Sequence, residues 1–197
     1  VKVVGVILAG GRARRMGGGD KALAELAGRP LAVHVAARLS GHVAALALNA
    51  NGDPARFAAL GLPVLPDPLP GRPGPLAGVL AALDWAAGQG AAAAVTAPAD
   101  TPFLPPDLVP RLRDASGEGA RPALAAGPAG GLHPLCALWP VRLAPALRVA
   151  LDRGAAKVRD FAAGQGAATV AFASEAAFFN VNTPEDLAAA RAELAAR

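Results

Sequence analysis

A continuous apolar run, Val3 to Ala9, leads straight into "GGRARRMGGGDK" at residues 10–21. Such a run without alternation suits a strand buried on both faces of a parallel sheet, and the glycine-rich loop then ends that strand. The rest of the chain repeats the pattern. Pro30 to Leu39 carries Leu31, Val35 and Leu39 four apart, which predicts a helix stopped by Gly41. Val43 to Leu48 predicts a second strand, Pro54 to Leu60 a short helix, and Leu62 to Leu65 a third strand. "PDPLPGRPGPLAG", Pro66 to Gly78, is a stiff loop feeding a helix from Leu76 to Ala87, and Ala92 to Ala97 predicts a fourth strand.

Beyond Gly117 the pattern is less regular. Apolar runs fall at Pro122 to Ala126 and Leu132 to Leu138, helices at about Arg142 to Leu151 and Ala155 to Ala163, a strand at Thr169 to Phe172, and a last helix from Pro184. Strands alternating with helices predict a three-layer α/β/α sandwich around a mainly parallel, Rossmann-like sheet. At 197 residues one domain is expected, with 1–115 as a nucleotide-binding half and 116–197 as an acceptor half. Parallel sheets bind ligands at the carboxyl ends of their strands. The loops at 10–20, 49–53, 66–75 and 98–102 are therefore expected to share one edge.

Composition narrows the partner. A net charge of +4, spread over arginines without interleaved aromatics, favours an anionic small molecule over nucleic acid. The single cysteine, Cys136, excludes an internal disulfide and a cysteine metal cluster, and reads as a small buried hydrophobe. No apolar segment reaches the length of a membrane span, so a cytoplasmic protein without membrane contact is expected. Lysine occurs only as Lys2, Lys21 and Lys157, and asparagine only as Asn49, Asn51, Asn180 and Asn182. In an Ala/Gly/Pro/Arg-rich chain those residues rank as candidates for chemistry.

The loop at 10–21 lacks the spacing of a dinucleotide fold or a P-loop. Its glycines nevertheless let backbone N–H groups approach phosphate oxygens, and Arg12, Arg14, Arg15 and Lys21 supply positive charge. Such a loop is also an ordinary connection, and its place after the first strand is what favours phosphate. Asp100, just past the fourth strand, suits Mg²⁺, or else hydrogen-bonds its own turn before Thr101-Pro102. Asp67 between two prolines has the same two readings. Asn49 can offer its amide to a ribose or base edge, or belong to a turn. His133, His34 and His42 read as structural. Asn180-Val-Asn-Thr-Pro-Glu reads as a helix start, with Thr183 capping and Pro184 in the first turn.

With those residues in place a resemblance becomes visible. Leu8-Ala-Gly-Gly with Arg15-Met-Gly and Asp20-Lys21, then "DTPFLPPDL" (100–108), "HPLCALWP" (133–140) and "FFNVNTPEDL" (178–187), resembles in order the motifs of the nucleotidyltransferases of the molybdenum-cofactor pathway, and within them the guanylyltransferase branch. The resemblance spans nearly the whole chain. It implies GMP transfer from GTP to the terminal phosphate of molybdopterin cofactor, release of pyrophosphate, and a need for Mg²⁺. Carried over by motif, Leu8, Ala9, Gly10, Gly11 and Lys21 contact GTP, Asn49 and Asp67 help hold it, and Asp100 binds metal and GTP. Lys21, Arg15 and Asp100 are then the catalytic set, and transient contact with molybdopterin-carrying or molybdoenzyme proteins is a further expectation. The family usually has Ser where this loop has Ala13, which removes a hydroxyl contact to phosphate.

For the acceptor, Lys157, Arg159, Asn180 and Asn182 are the candidates, against a solvated helix face and a helix cap. Two alternatives stand beside this reading. One is a related transferase using CTP or a sugar phosphate, separable by base choice. The other is a non-catalytic nucleotide-binding protein of the same fold, which Mg²⁺-dependent pyrophosphate release excludes.

Overall fold

In the computed structural model, which describes residues 1–10, 20–69 and 74–196, the strands are β1 (Val3–Leu8), β2 (Glu25–Leu26), β3 (Arg29–Pro30), β4 (Leu46–Asn49), β5 (Val64–Leu65), β6 (Ala93–Pro98), β7 (Ala123–Ala126), β8 (Leu132–Pro140) and β9 (Ala168–Ala171). The helices are α1 (Leu31–Leu39), α2 (Pro75–Gly88), α3 (Leu108–Ala115), α4 (Ala144–Asp152), α5 (Val158–Gly164) and α6 (Pro184–Ala195). Seven strands form one sheet in the order β5-β4-β1-β6-β8-β7-β9. All pair in parallel except β8, which runs against both β6 and β7. The sandwich and its mainly parallel sheet are as expected; the reversed strand is not visible in the apolar pattern, because a strand buried on both faces looks alike in either direction.

Side chains alternate across each strand, so the sheet has a core on each face. On one face Val3, Ile7, Val95 and Leu138 pack against Val35 and Leu39 of α1 and Leu108 and Leu112 of α3. On the other, Val4, Val6, Ala94 and Trp139 pack against Val79, Leu80 and Leu83 of α2, Leu147 of α4 and Phe161 of α5. Helix α2 is buried along most of its length, which is why it reads as apolar all round. A small third cluster, Leu26, Leu31, Phe103, Val181 and Ala190, fastens α6 and the β2–β3 hairpin to the body.

Three local differences from expectation have simple causes. The second strand is regular only from Leu46, because Val43 and Ala44 enter it through a bend. The segment Pro54–Leu60 is a 3₁₀ run, opened by the Asp53 carboxylate accepting from the Ala55 N–H at 2.9 Å and ended by Gly61 in the left-handed region. The hairpin Glu25–Pro30 was not anticipated. It turns on Ala27 and Gly28, both at positive φ, a two-residue turn that alanine signals poorly.

Inside the second core, Trp139 is fully buried and its indole N–H donates to Thr96 Oγ1 at 3.0 Å, while that hydroxyl donates to the Leu135 carbonyl at 2.8 Å. Thr96 thus satisfies the buried indole N–H and ties it to the carbonyl of Leu135, which is part-buried at the cleft. Thr96→Val keeps the shape and strands the buried indole N–H, so it is expected to lower unfolding free energy by about 1–3 kcal/mol, measured from the urea midpoint at constant slope.

Candidate active site

Because β1, β4, β5 and β6 are parallel, their carboxyl ends lie along one sheet edge, and a cleft of about 360 Å³ opens there. It is lined by Leu8 and Gly10 after β1, Asn49 and Asn51 at the end of β4, Asp67 after β5, and Pro98 and Asp100 at the end of β6. Gly74, Pro75 and Gly78 from the start of α2, Leu135 from β8, and Asn180 complete it. The four loops expected to share an edge do so wherever they are described. Ala9 is buried behind the cleft and donates its N–H to the Asn49 carbonyl at 2.8 Å. Arg12, Arg14 and Arg15, with Gly11 and Ala13, lie outside the described residues.

One wall is an amide–carboxylate cluster. Asn49 donates to the Leu65 carbonyl at 3.0 Å and to Asp67 Oδ1 at 2.9 Å. Asn51 donates to Asp67 Oδ2 at 2.7 Å and accepts from the Asp67 N–H at 2.9 Å. Both carboxylate oxygens are therefore held, and the three side chains behave as one rigid unit. Asn49 is 3% exposed and rests on α2 at Gly78, where a Cβ would lie 2.5 Å from its Oδ1 and 3.1 Å from Leu8 Cδ2. Glycine inside a buried helix is explained by that approach.

The opposite wall carries charge. Lys21 Nζ lies 3.4 Å from Asp100 Oδ2 and donates also to Asn182 Oδ1. Asn180, two residues before Asn182, accepts through Oδ1 from the hydroxyl of the buried Thr101 at 2.7 Å, and the Val181 N–H donates to the Asp100 carbonyl at 2.8 Å. Residues from opposite ends of the chain thus meet at Asp100. The 180–182 segment is held there by the start of α6, where the Thr183 hydroxyl accepts from the Asp186 N–H at 3.1 Å. The Asp186 carboxylate accepts in return from the N–H groups of Asn182 and Thr183, each at 2.9 Å. Those bonds, the Asn182 N–H above all, hold its carboxyl below the usual value of 3.8. The helix-cap reading of this segment holds, and the cap is what brings Asn180 to the cleft lining and Asn182 to Lys21.

A second groove adjoins the first through Pro75 and Leu135. It is lined by Gly130, Gly131 and Leu132 at the entry to β8 and by Lys157 and Arg159 at the start of α5. Lys157 and Arg159 therefore stand together, apart from the Lys21–Asp100 contact. Cys136 is buried and burial pushes its thiol far up, with the nearby Asp100 charge adding to the shift, so it stays a neutral thiol. His133 stacks on Phe178 at 4.1 Å, with Nε2 3.1 Å from Glu175 Oε1 but off the line a hydrogen bond needs. It braces the segment leading to Asn180. Among the described residues no group of three or more His, Cys, Asp or Glu forms a metal cluster, and no helix is long and apolar enough to cross a membrane.

Sequence reasoning gave Asn51 no specific role and missed Thr101 and the Asp20–Arg56 pair at 3.1 Å. Only the scarcity of asparagine pointed to Asn51. The other contacts join residues far apart in the chain and leave no local pattern.

A mainly parallel sheet, a polar cleft at its carboxyl edge and a Lys21–Asp100 pair beside it are the features of a nucleotidyltransferase. Residues 5–170 match the family model of the MobA-like NTP transferase domain, and the chain belongs to that family. A molybdenum cofactor guanylyltransferase of Cereibacter sphaeroides is 57% identical over 98% of both chains, and one of Rhodopseudomonas palustris is 53% identical over 94% of this chain and 90% of its own. The molybdopterin-guanine dinucleotide biosynthesis protein A of Archaeoglobus fulgidus superposes with a TM-score of 0.74 at 25% identity, covering 99% of this chain and all of that one.

Gly78→Ala tests the contact on which the Asn49 wall rests. Although alanine is the better helix former, the substitution is expected to destabilise the fold by about 1–3 kcal/mol, read from thermal or denaturant unfolding.

Proposed function

We propose that the protein transfers GMP from GTP to the terminal phosphate of molybdopterin cofactor, forming the guanine dinucleotide cofactor and pyrophosphate. The observation that carries this reading is Lys21 paired with Asp100 of the cleft wall, in a chain 57% identical to a molybdenum cofactor guanylyltransferase. In the reading, Asn49 and Asp67 hold the nucleoside end, Leu8, Ala9, Gly10 and Gly11 contact the phosphates, and Lys21 with Arg15 neutralises the triphosphate. A terminal oxygen of the acceptor phosphate attacks the α-phosphorus, the bond from that phosphorus to the bridging oxygen breaks, and pyrophosphate leaves with the electron pair. Such a step needs positioning and charge stabilisation more than a protein nucleophile.

Asp100 is the residue that would hold Mg²⁺. A single carboxylate facing a polar cleft fits an ion that takes one or two protein oxygens and completes its shell with phosphates and water. When bound it contributes charge neutralisation at the transferring phosphate. Lys21 does a related task on the protein side. Its ammonium, shared between Asp100 and Asn182 before nucleotide arrives, is in place to meet the phosphates.

The acceptor belongs to the second groove in this reading, its anionic body meeting Lys157 and Arg159 and, with Asn180 and Asn182, held so that its terminal phosphate reaches past Pro75 and Leu135 to the nucleotide. Residues 1–115 then form the nucleotide half and 116–197 the acceptor half of one domain, working in the cytoplasm and passing the product to a molybdopterin-carrying or molybdoenzyme protein.

Pyrophosphate release measured with each NTP, with and without molybdopterin cofactor and Mg²⁺, tests reaction, base and acceptor together; release with CTP in preference to GTP overturns the base assignment. Lys21→Ala and Asp100→Ala are each expected to lower transfer by about two orders of magnitude or more with unfolding midpoints unchanged. Replacing Lys157 and Arg159 together by alanine is expected to raise the acceptor KM about tenfold or more and leave the GTP KM alone. An unchanged acceptor KM assigns them to a solvated helix face.

A further inference from the structure

Arg56 lies outside the cleft lining, yet it touches both walls. Its Nε sits 3.1 Å from Asp20 Oδ2, one residue before Lys21, and its Nη2 donates to the carbonyl of Asn51. The guanidinium lies over the ring of the buried Phe57 at 4.9 Å and flat against Gly52, where a Cβ would come within 3.4 Å of Nη1. Gly52 has φ +87, a backbone conformation that favours glycine there. Both partners are themselves fixed. The Asp20 carbonyl accepts from the Leu23 N–H at 3.0 Å and so closes the turn that begins at Lys21, while Asn51 is doubly bonded to Asp67.

We propose that Arg56 is a positioning residue that locks the Lys21 turn to the Asn49–Asn51–Asp67 wall, so that the nucleoside end and the phosphate tail of a bound nucleoside triphosphate are gripped as one unit. This rests on the functional reading above and goes beyond it. A lone exposed ion pair contributes little to stability, but a planar guanidinium held at several points fixes geometry. What depends on Arg56 is the distance between two parts of the ligand. The β- and γ-phosphates, which Lys21 serves, feel its loss; a nucleoside monophosphate, which lacks them, does not.

Calorimetric binding of GTP and of GMP to the full chain, wild type against Arg56→Met, Asp20→Asn and the double variant, reads this directly. Arg56→Met is expected to weaken GTP about tenfold and GMP less than about twofold. Because both substitutions break the same link, the double variant is expected to bind GTP no more weakly than Arg56→Met alone. Equal weakening of both nucleotides overturns the proposal in favour of a local structural role for Arg56, as does unaltered GTP affinity. Losses that multiply in the double variant also overturn it. A wild-type protein that binds no GTP brings down the functional reading and the lock with it, an outcome distinct from the other three.

Discussion

Strand β1 is hydrogen-bonded on both sides in parallel, to β4 through Leu8↔Asn49 and to β6 through Leu8↔Pro98. That double pairing sets the geometry of everything downstream. It satisfies the backbone of a fully buried strand, and it aligns the ends of three strands to within a residue of each other. Asn49, Gly10 and Asp100 converge because Leu8, Asn49 and Pro98 are in register. A slip of one residue in either pair would turn the following side chain to the opposite face and break up the cleft.

Within that frame the charged contacts are few and each has several partners. Lys21 meets Asp100 and Asn182, and Asp67 meets Asn49 and Asn51. The polar groups of the cleft are held in place by bonds to one another, so binding costs less ordering than it would in a floppy site. Burial supports the arrangement from behind. Cys136 is a buried, uncharged thiol near enough to Asp100 to feel its charge, and Gly78 lets helix α2 approach close enough to back Asn49.

Much of this was legible in the residues, for physical reasons that differ by element. Strands β1 and β6 announce themselves as unbroken apolar runs, and the crevice rule then locates Gly10, Asn49, Asp67 and Asp100 on one edge without further information. Thr183 and Pro184 signal the start of α6 because capping is a local interaction. Other features depend on contacts between distant segments. The reversal of β8 and the Ala27–Gly28 turn follow from tertiary packing, and the meeting of Lys21 with Asn182 spans 161 residues. Thr101 looks like part of a proline turn until Asn180 is placed against its hydroxyl.

The reversed strand has a consequence for how such a molecule can diversify. Since β8 runs antiparallel, its entry end lies at the same sheet edge as the exits of β1, β4 and β6, and the 127–131 connection opens on the second groove rather than the first. The lining at Gly130–Leu132 can lengthen, shorten or change charge while the register of β1 with its neighbours is untouched. On the proposed reading, acceptor choice and base choice fall on separate stretches of backbone, so that one can drift under selection while the other is kept.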